Sequence, residues 1–222
     1  MAAVADGPAV HPLAEIITAA AAGRFPPVDG AWQRVPPWRE GLEAVLSFTG
    51  HAVLAVSAQV TDAEIDAWGA DGFGGAHDPR LISALAGDGA WIDSLDALLV
   101  ARGTGLADGS RRLVPRPDLA AHPRALFASG VRDEVAVLGY PDDATAIATV
   151  SRGVGGLHEL SFEVEPRRRG GAGRQLVQDA LSSLPLDTLV VAAVAPGNAA
   201  SLRTLLAAGF APIGSMQLFS RA

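Results

Sequence analysis

The sequence predicts an α/β fold with a mixed sheet, and two observations support this prediction. Strand and helix patterns alternate along the second half of the chain. Residues 188–194 are nearly all apolar, as expected of a central strand that is covered on both faces. The composition agrees with a folded protein, because 49% of the 222 residues are hydrophobic and only 18% are charged. This length allows one large domain or two small ones.

Three strands and a helix are predicted before the central strand. Residues 131–138, 145–151 and 157–164 are rich in β-forming side chains, and turn residues separate them. Residues 171–183 have their apolar side chains on one helical face, which predicts an amphipathic helix. This order places a helix directly between a strand and the central strand.

The end of the chain continues the same alternation. Asn198 is placed to cap the N-terminus of a helix, and Gly209 is placed to end it. Residues 213–220 then predict a closing strand or hairpin.

The first half roughly echoes this order. Residues 35–46 predict a helix after a proline pair, and residues 51–58 predict an apolar strand. Thr61 and Glu64 have the spacing of a capping box, and residues 95–101 predict another strand. A degenerate repeat of the second half and the ordinary alternation of α/β proteins both explain this echo, and the sequence leaves both open.

The stretch 103–123 is rich in glycine and proline and is the best candidate for a linker. We therefore expect an α/β region over residues 1–125, which is either a degenerate repeat or an unrelated unit. A second domain is expected over residues 126–222.

The composition excludes several classes of chemistry. The chain has no cysteine, which excludes disulfides, cysteine-bound zinc and an acyl-thiol intermediate on the protein. All 17 basic residues are arginine, which excludes a lysine Schiff base. The formal net charge of −7 argues against nonspecific binding of nucleic acid. The histidines lack metal-ligand spacing, so we expect no metal.

The sequence also bears on the location of the protein. The longest apolar stretches, at 16–22 and 189–194, are too short to span a bilayer. The N-terminus lacks the basic region of a secretory signal. We expect a cytoplasmic protein with no membrane partner.

The strongest chemical signal is a segment rich in glycine and arginine at the start of the helix over 171–183. Unpaired backbone N–H groups at a helix N-terminus attract anions, and glycine lets a phosphate approach the backbone closely. Nearby arginines add charge-assisted hydrogen bonds. A simple glycine turn at a helix start explains the same pattern. The segment consists of Arg168, Arg169, Gly170, Gly171, Ala172, Gly173 and Arg174.

This segment resembles the R/Q-x-x-G-x-G/A motif of the GNAT family of N-acetyltransferases, through Arg168, Gly171 and Gly173. Residues 191–202 are similar to that family's fifth strand and the asparagine-led helix after it. Ala208-Gly209-Phe210 is similar to the end of the same helix. The resemblance extends over residues 131–222, although the arm before Arg168 is one residue shorter than usual.

The resemblance implies a GNAT-type acyl-CoA N-acyltransferase fold with acetyl-CoA as cosubstrate. The backbone amides of residues 170–174 would hold the CoA pyrophosphate, and Arg168, Arg169 and Arg174 would reach its phosphates. The backbone from Phe162 to Val164 would pair with the pantetheine arm. Asn198 would contact the same arm, which is compatible with its role as a helix cap.

In this family an amine attacks the thioester directly, and a carboxylate acting through water can accept the amine proton. Glu159 and Glu163 lie on one face of the strand over 157–164 and are the candidate catalytic residues. Each is equally explained as an exposed position of the sheet. The family's usual tyrosine acid is replaced by Leu205, and Tyr140 is the only tyrosine.

Three functions follow from the resemblance. The first is an N-acetyltransferase for a primary amine, either a small molecule or a peptide, whose pocket the first half helps to shape. The second is a CoA-binding or regulatory module without turnover, and the third is an interaction domain that binds no CoA. A homodimer is compatible with each of them.

Overall fold

The computed structural model describes residues 10–105, 112–168 and 171–221. Its strands form one mixed sheet in the order β1-β3-β2-β10-β4-β9-β8-β7-β6-β5, which confirms the predicted α/β fold class. The strands are β1 (Trp32–Val35), β2 (Glu43–Phe48), β3 (His51–Ala55), β4 (Asp96–Arg102), β5 (Val114–Pro115), β6 (Asp133–Gly139), β7 (Ala146–Arg152), β8 (His158–Val164), β9 (Leu189–Val194) and β10 (Ala211–Phe219).

Helices cover both faces of the sheet. The helices are α1 (Pro12–Ala21), α2 (Asp62–Ala67), α3 (Pro79–Ala86), α4 (Pro123–Val131), α5 (Ala172–Ser182) and α6 (Ala199–Ala207). Side chains of α1 and α4 pack with Leu98 on one face, and those of α5 and α6 pack with Leu99 on the other. Because neighbouring residues of a strand point to opposite faces, β4 contributes to both cores.

The central strand β9 has very different neighbours on its two sides. It pairs with β4 in antiparallel orientation along its whole length, from Leu189 to Val194. On the other side it pairs with β8 in parallel, and only at His158 with Val190 and at Glu159 with Val191. Beyond those pairs β8 and β9 diverge, while β8 remains paired with β7 up to Val164. The sheet therefore opens at one place in its middle.

The second half follows the sequence closely. Strands β7, β8 and β9, and helices α5 and α6, lie within about a residue of their predicted bounds. The strand expected over 131–138 begins at Asp133, because α4 extends to Val131.

The predicted helix over residues 35–46 is wrong. Residues Glu43–Phe48 form β2, which pairs with both β3 and β10. An interior strand of a sheet is buried on both faces, so the apolar residues of β2 do not alternate with exposed ones and show no period that separates a strand from a buried helix. The capping box of Thr61 and Glu64 at the start of α2 is confirmed, with both of its hydrogen bonds.

The C-terminal segment forms one strand rather than a hairpin. Strand β10 lies between β2 and β4, with a register shift between Pro212 and Gly214. A strand of the first half, β4, thereby lies directly beside β9. In the first half, β3 and β4 are antiparallel and are separated by two strands. In the second half, β8 and β9 are parallel neighbours, so the arrangement of strands differs between the two halves.

Over the described ranges, the chain forms no helix with the length and apolar character needed to cross a bilayer.

Candidate functional site

A cleft of about 230 Å³ lies where β8 and β9 diverge. Both strands, the start of α6, helix α4 and the segment before β4 contribute to its walls. The lining residues are Asp93, Ser94, Asp96, Arg124, Phe127, Arg132, Glu159, Leu160, Ser161, Phe162, Ala192, Ala193, Val194, Ala195, Asn198, Ser201, Leu205 and Leu218.

The edge of β8 that faces β9 is open from Leu160 to Val164, since among the described strands only β7 pairs with this part of β8. An open strand edge presents backbone N–H and C=O groups to a strand-like ligand. Phe162 lines the cleft, whereas Val164 lies beyond it at the end of the strand. The predicted position of a pantetheine arm is thus accessible.

Helix α5 begins beyond the end of β8. Gly171 is its N-cap, with φ 108° and ψ −19°, a conformation that favours glycine. No side chain of the described residues caps this helix, and the space around Gly171 is open. At Gly173, a Cβ would lie 3.2 Å from Thr204 Cγ2, so glycine allows the close packing of α5 on α6. The first turn, with Ala172 and Arg174, can present backbone amides to an anion.

The arginines before the helix are placed differently. Arg168 Nη1 donates to Asp143 Oδ2 at 3.1 Å, and about half of its side chain is exposed. Hydrogen bonds from Thr145, together with the charge of Arg168, lower the pKa of Asp143. Arg169 and Gly170, which the sequence assigns to the same loop, lie outside the described residues.

Asn198 reaches the cleft from the other side. Its Oδ1 accepts a hydrogen bond from the Ser201 backbone N–H at 3.2 Å and caps α6, as expected. Asn198 and Ser201 both line the cleft, next to the buried side chain of Leu205. The Ser201 hydroxyl is therefore a polar group of the cleft wall, close to Leu205 on the same helix.

The only tyrosine lies outside the cleft lining. The Tyr140 hydroxyl donates to Asp179 Oδ2 at 2.7 Å. Burial and this hydrogen bond raise the pKa of Tyr140 far above its usual value. It is held in a local contact with α5 and does not face the cleft.

Glu159 lies at the closed end of the cleft, where β8 and β9 are still paired. It is 3% exposed, and its Oε1 lies 2.5 Å from Arg132 Nη2. Its Oε2 accepts a hydrogen bond from the Val154 backbone N–H at 3.1 Å. Gly153 allows this arrangement, because a Cβ there would overlap the carboxylate. Both oxygens of Glu159 thus have protein partners.

Glu163 lies four residues further along the same face of β8. Its Oε2 is 3.6 Å from Arg124 Nε, and about half of its side chain is exposed. Because Arg124 lines the cleft and Glu163 does not, this pair belongs to the rim.

Asp96 is a cleft carboxylate that the sequence did not indicate. Its Oδ1 accepts a hydrogen bond from Ser94 Oγ at 2.9 Å, and among the described residues no cation forms a salt bridge with it. Burial, together with the charges of Asp93 and Glu159, raises the pKa of Asp96 to about 6. A single aspartate at the start of an apolar strand gave no signal, because its position depends on the pairing of β4 with β9.

The described residues contain no cluster of histidine and acidic side chains that could hold a metal ion.

The sequence matches no family model, and no curated protein resembles it. Among solved structures, a GNAT-family acetyltransferase from Novosphingobium aromaticivorans is similar, with a TM-score of 0.41 and 16% identity, over 61% of this chain and 69% of that one. A GNAT-family acetyltransferase from Colwellia psychrerythraea has a TM-score of 0.39 and 11% identity, over 60% of this chain and 58% of its own.

A third structure, a GCN5-related N-acetyltransferase from Kribbella flavida, has a TM-score of 0.38 and 14% identity, over 64% of each chain. The chain thus spans 58% to 69% of the length of these proteins. Similarities of this size identify neither a substrate nor a cofactor. A fourth similar structure, with a TM-score of 0.38 and 16% identity, is a functionally unknown conserved protein from Staphylococcus epidermidis.

Proposed function

We propose that this protein is an N-acetyltransferase that transfers the acetyl group of acetyl-CoA directly to a primary amine. The observation that carries the proposal is the divergence of β8 and β9 after Glu159 and Val191. The divergence opens a cleft that is lined by the open part of β8 and by the carboxylate of Asp96, and α5 begins beyond the end of β8.

The open edge of β8 and the start of α5 suit different chemical parts of acetyl-CoA. The open edge of β8 around Phe162 offers hydrogen bonds to the amide groups of the pantetheine arm. The first turn of α5, after Gly171, offers backbone amides and the positive end of the helix to the pyrophosphate. Arg168 and Arg174 lie close enough in sequence to add charge-assisted bonds. When bound, acetyl-CoA supplies the activated acyl group.

Asp96 is the group best suited to accept the proton of the amine. An alkylammonium has a pKa of about 10.4, so it keeps its proton at neutral pH. A carboxylate with its pKa raised to about 6 is a stronger base than an ordinary aspartate and accepts this proton more readily. The ammonium proton passes to Asp96, and the neutral nitrogen forms a bond with the acetyl carbonyl carbon.

The C–S bond then breaks, and the thiolate takes a second proton from the nitrogen. The products are the N-acetyl amine and CoA thiol, and Asp96 returns its proton to solvent. A thiol has a pKa of about 8.5, so the thiolate can leave without a tyrosine acid. The Ser201 hydroxyl lines the cleft and can donate a hydrogen bond to it.

The two glutamates then have supporting roles. Glu159 neutralises Arg132 and fixes it in the wall of the cleft, which makes Glu159 a positioning residue. Glu163 holds Arg124 at the rim and can relay protons to solvent through water.

The proposal is tested by measuring free thiol during incubation with acetyl-CoA and a panel of amines. Because the protein has no cysteine, a thiol reagent reports CoA alone. Because it has no lysine, its own side chains offer no amine acceptor. We expect amine-dependent release of CoA, and the absence of release with every class of amine would overturn the enzymatic proposal.

A CoA-binding module without turnover is the second candidate, and Leu205 in place of the usual tyrosine favours it. Such a module would bind acetyl-CoA and show a higher Tm with it, yet release no thiol. An unchanged Tm at saturating acetyl-CoA would contradict both candidates.

A further inference from the structure

The charges along the cleft are unevenly balanced. Arg132 is paired with Glu159, and Arg124 is paired with Glu163. Asp93 and Asp96 also line the cleft, and among the described residues neither forms a salt bridge. Because Asp93 and Asp96 have no such partner, this part of the cleft carries an excess of negative charge. Burial, together with the charges of Asp93 and Glu159, raises the pKa of Asp96. A cationic group of a ligand would be stabilised at this end of the cleft.

A buried donor lies next to these carboxylates. Arg132 is 7% exposed and lines the cleft, yet its Nε and Nη1 have no hydrogen-bond partner among the residues that the structure describes. A buried donor without an acceptor costs free energy, so we expect a bound ligand to supply an acceptor atom for Arg132. In a negatively charged cleft, a neutral carbonyl oxygen suits Arg132 better than another carboxylate does.

Exposed apolar side chains lie beside the cleft. Phe127 of α4 lines the cleft, and its ring packs edge to face on Trp91, with 6.4 Å between the ring centroids. Both rings remain more than a third exposed, and Ile92 and Leu95, on the segment that leads to Asp96, are exposed as well. Exposed aromatic groups around a polar cleft provide a surface for an apolar ligand group.

We infer that the acceptor is an α-amino amide with an aromatic or other large apolar side chain. Its ammonium binds Asp96 and Asp93, its carbonyl oxygen accepts from Arg132, and its side chain lies against Phe127. This inference rests on the proposed acetyltransferase function and specifies the substrate of the same cleft.

The acid–base chemistry supports this acceptor. An α-amino group has a pKa of about 7.7–8.0, whereas a lysine-like amine has a pKa of about 10.4. The amide therefore brings the amine much closer to the pKa of about 6 of Asp96, and the proton transfer that precedes attack becomes easier.

The inference is tested with four acceptors in the thiol-release assay, namely phenylalanine amide, phenethylamine, glycine amide and free phenylalanine. Phenethylamine lacks the carbonyl, and glycine amide lacks the apolar side chain. Free phenylalanine carries a carboxylate in place of the amide. We expect kcat/KM to be highest for phenylalanine amide and at least tenfold lower for each of the others. Phenylalanyl-alanine amide, as a fifth acceptor, shows whether a longer peptide is accepted in the same way.

A substitution at the rim gives a second readout. Phe127→Ala should raise KM for phenylalanine amide about tenfold, because it removes the apolar contact, and should raise KM for glycine amide much less. Phe73→Ala removes an exposed aromatic ring that does not line the cleft and is the matched control.

The outcomes separate the two proposals. Binding of acetyl-CoA with equal turnover of phenethylamine and phenylalanine amide would overturn this inference and leave the acetyltransferase proposal intact. Absence of acetyl-CoA binding would overturn the acetyltransferase proposal itself. An equal effect of Phe127→Ala on glycine amide and phenylalanine amide would overturn the assignment of the apolar subsite.

Discussion

The two sides of strand β9 differ in how far their backbone pairing extends. Toward β4 the backbone is paired from Leu189 to Val194, and that side of the sheet is closed. Toward β8 only two pairs remain, and the strands diverge into a cleft. Backbone groups that leave a ladder in the middle of a sheet need other partners. We propose that the open side binds a ligand, whereas the closed side stabilises the sheet.

The same contrast is visible in two carboxylates on one face of the sheet. Glu159, on β8, is buried and has partners on both oxygens. Asp96, on β4, faces the cleft and has its pKa raised to about 6. Glu159 therefore has the environment of a structural group, and Asp96 that of a base.

The largest expected effect comes from Asp96→Asn. Removing a general base should lower kcat by about 10²–10⁴-fold, while the affinity for acetyl-CoA stays the same. Steady-state kinetics and calorimetric titration with acetyl-CoA measure the two quantities. Asp88→Asn, an exposed carboxylate outside the cleft lining, is the control and should leave kcat unchanged. Activity of Asp96→Asn within threefold of the parent would remove Asp96 from the mechanism.

Glu159→Gln should act on stability instead. The substitution leaves Arg132 as a buried charge without its counterion, so the free energy of unfolding should fall by about 3–5 kcal/mol. Urea denaturation at pH 7.5 measures it. If Glu159→Gln unfolds at the same urea concentration as the parent and loses only kcat, the roles of the two carboxylates are reversed.

The pH dependence sharpens the contrast. Because Asp96 must be ionised to act as a base, kcat/KM should rise with pH up to about pH 6 and then level off. The raised pKa also means that ionisation of Asp96 costs stability in the folded state. The stability gain of Asp96→Asn should therefore be present at pH 7.5 and fade as pH falls from 6 toward 4. A gain that grows on acidification would contradict the burial of this carboxylate.

The smallest effect is expected for Asn198→Ala. Loss of the helix cap should lower the free energy of unfolding by about 1 kcal/mol and weaken the binding of acetyl-CoA several-fold. Thr61→Ala, which removes the cap of α2, should cost a similar amount of stability without changing that affinity. Equal affinities for the two variants would restrict Asn198 to its capping role.

Local sequence patterns predicted the features of the fold that depend on neighbouring residues alone. The helix start at Gly171, the cap at Asn198 and the strand before the helix follow from glycine conformation, side-chain capping and β propensity. These signals predicted β8 and the start of α6, which both contribute to the walls of the cleft, and the start of α5.

The features of the cleft that the sequence did not predict depend on contacts between distant parts of the chain. The neighbour of β9 is β4, from almost ninety residues earlier in the chain, and this pairing alone brings Asp96 to the cleft. The partner of Glu159 is Arg132, which follows a helix that the sequence did not predict. No local pattern encodes which distant strand or helix will lie beside a given residue.

A crystal structure with acetyl-CoA would show whether the cleft between β8 and β9 is the acyl-CoA site. We expect the pantetheine arm between β8 and β9, hydrogen bonded to the backbone near Phe162, with the pyrophosphate at the N-terminus of α5 and the thioester near Asp96. Acetyl-CoA bound on another surface, or a cleft closed by β8 and β9 pairing beyond Val191, would contradict it.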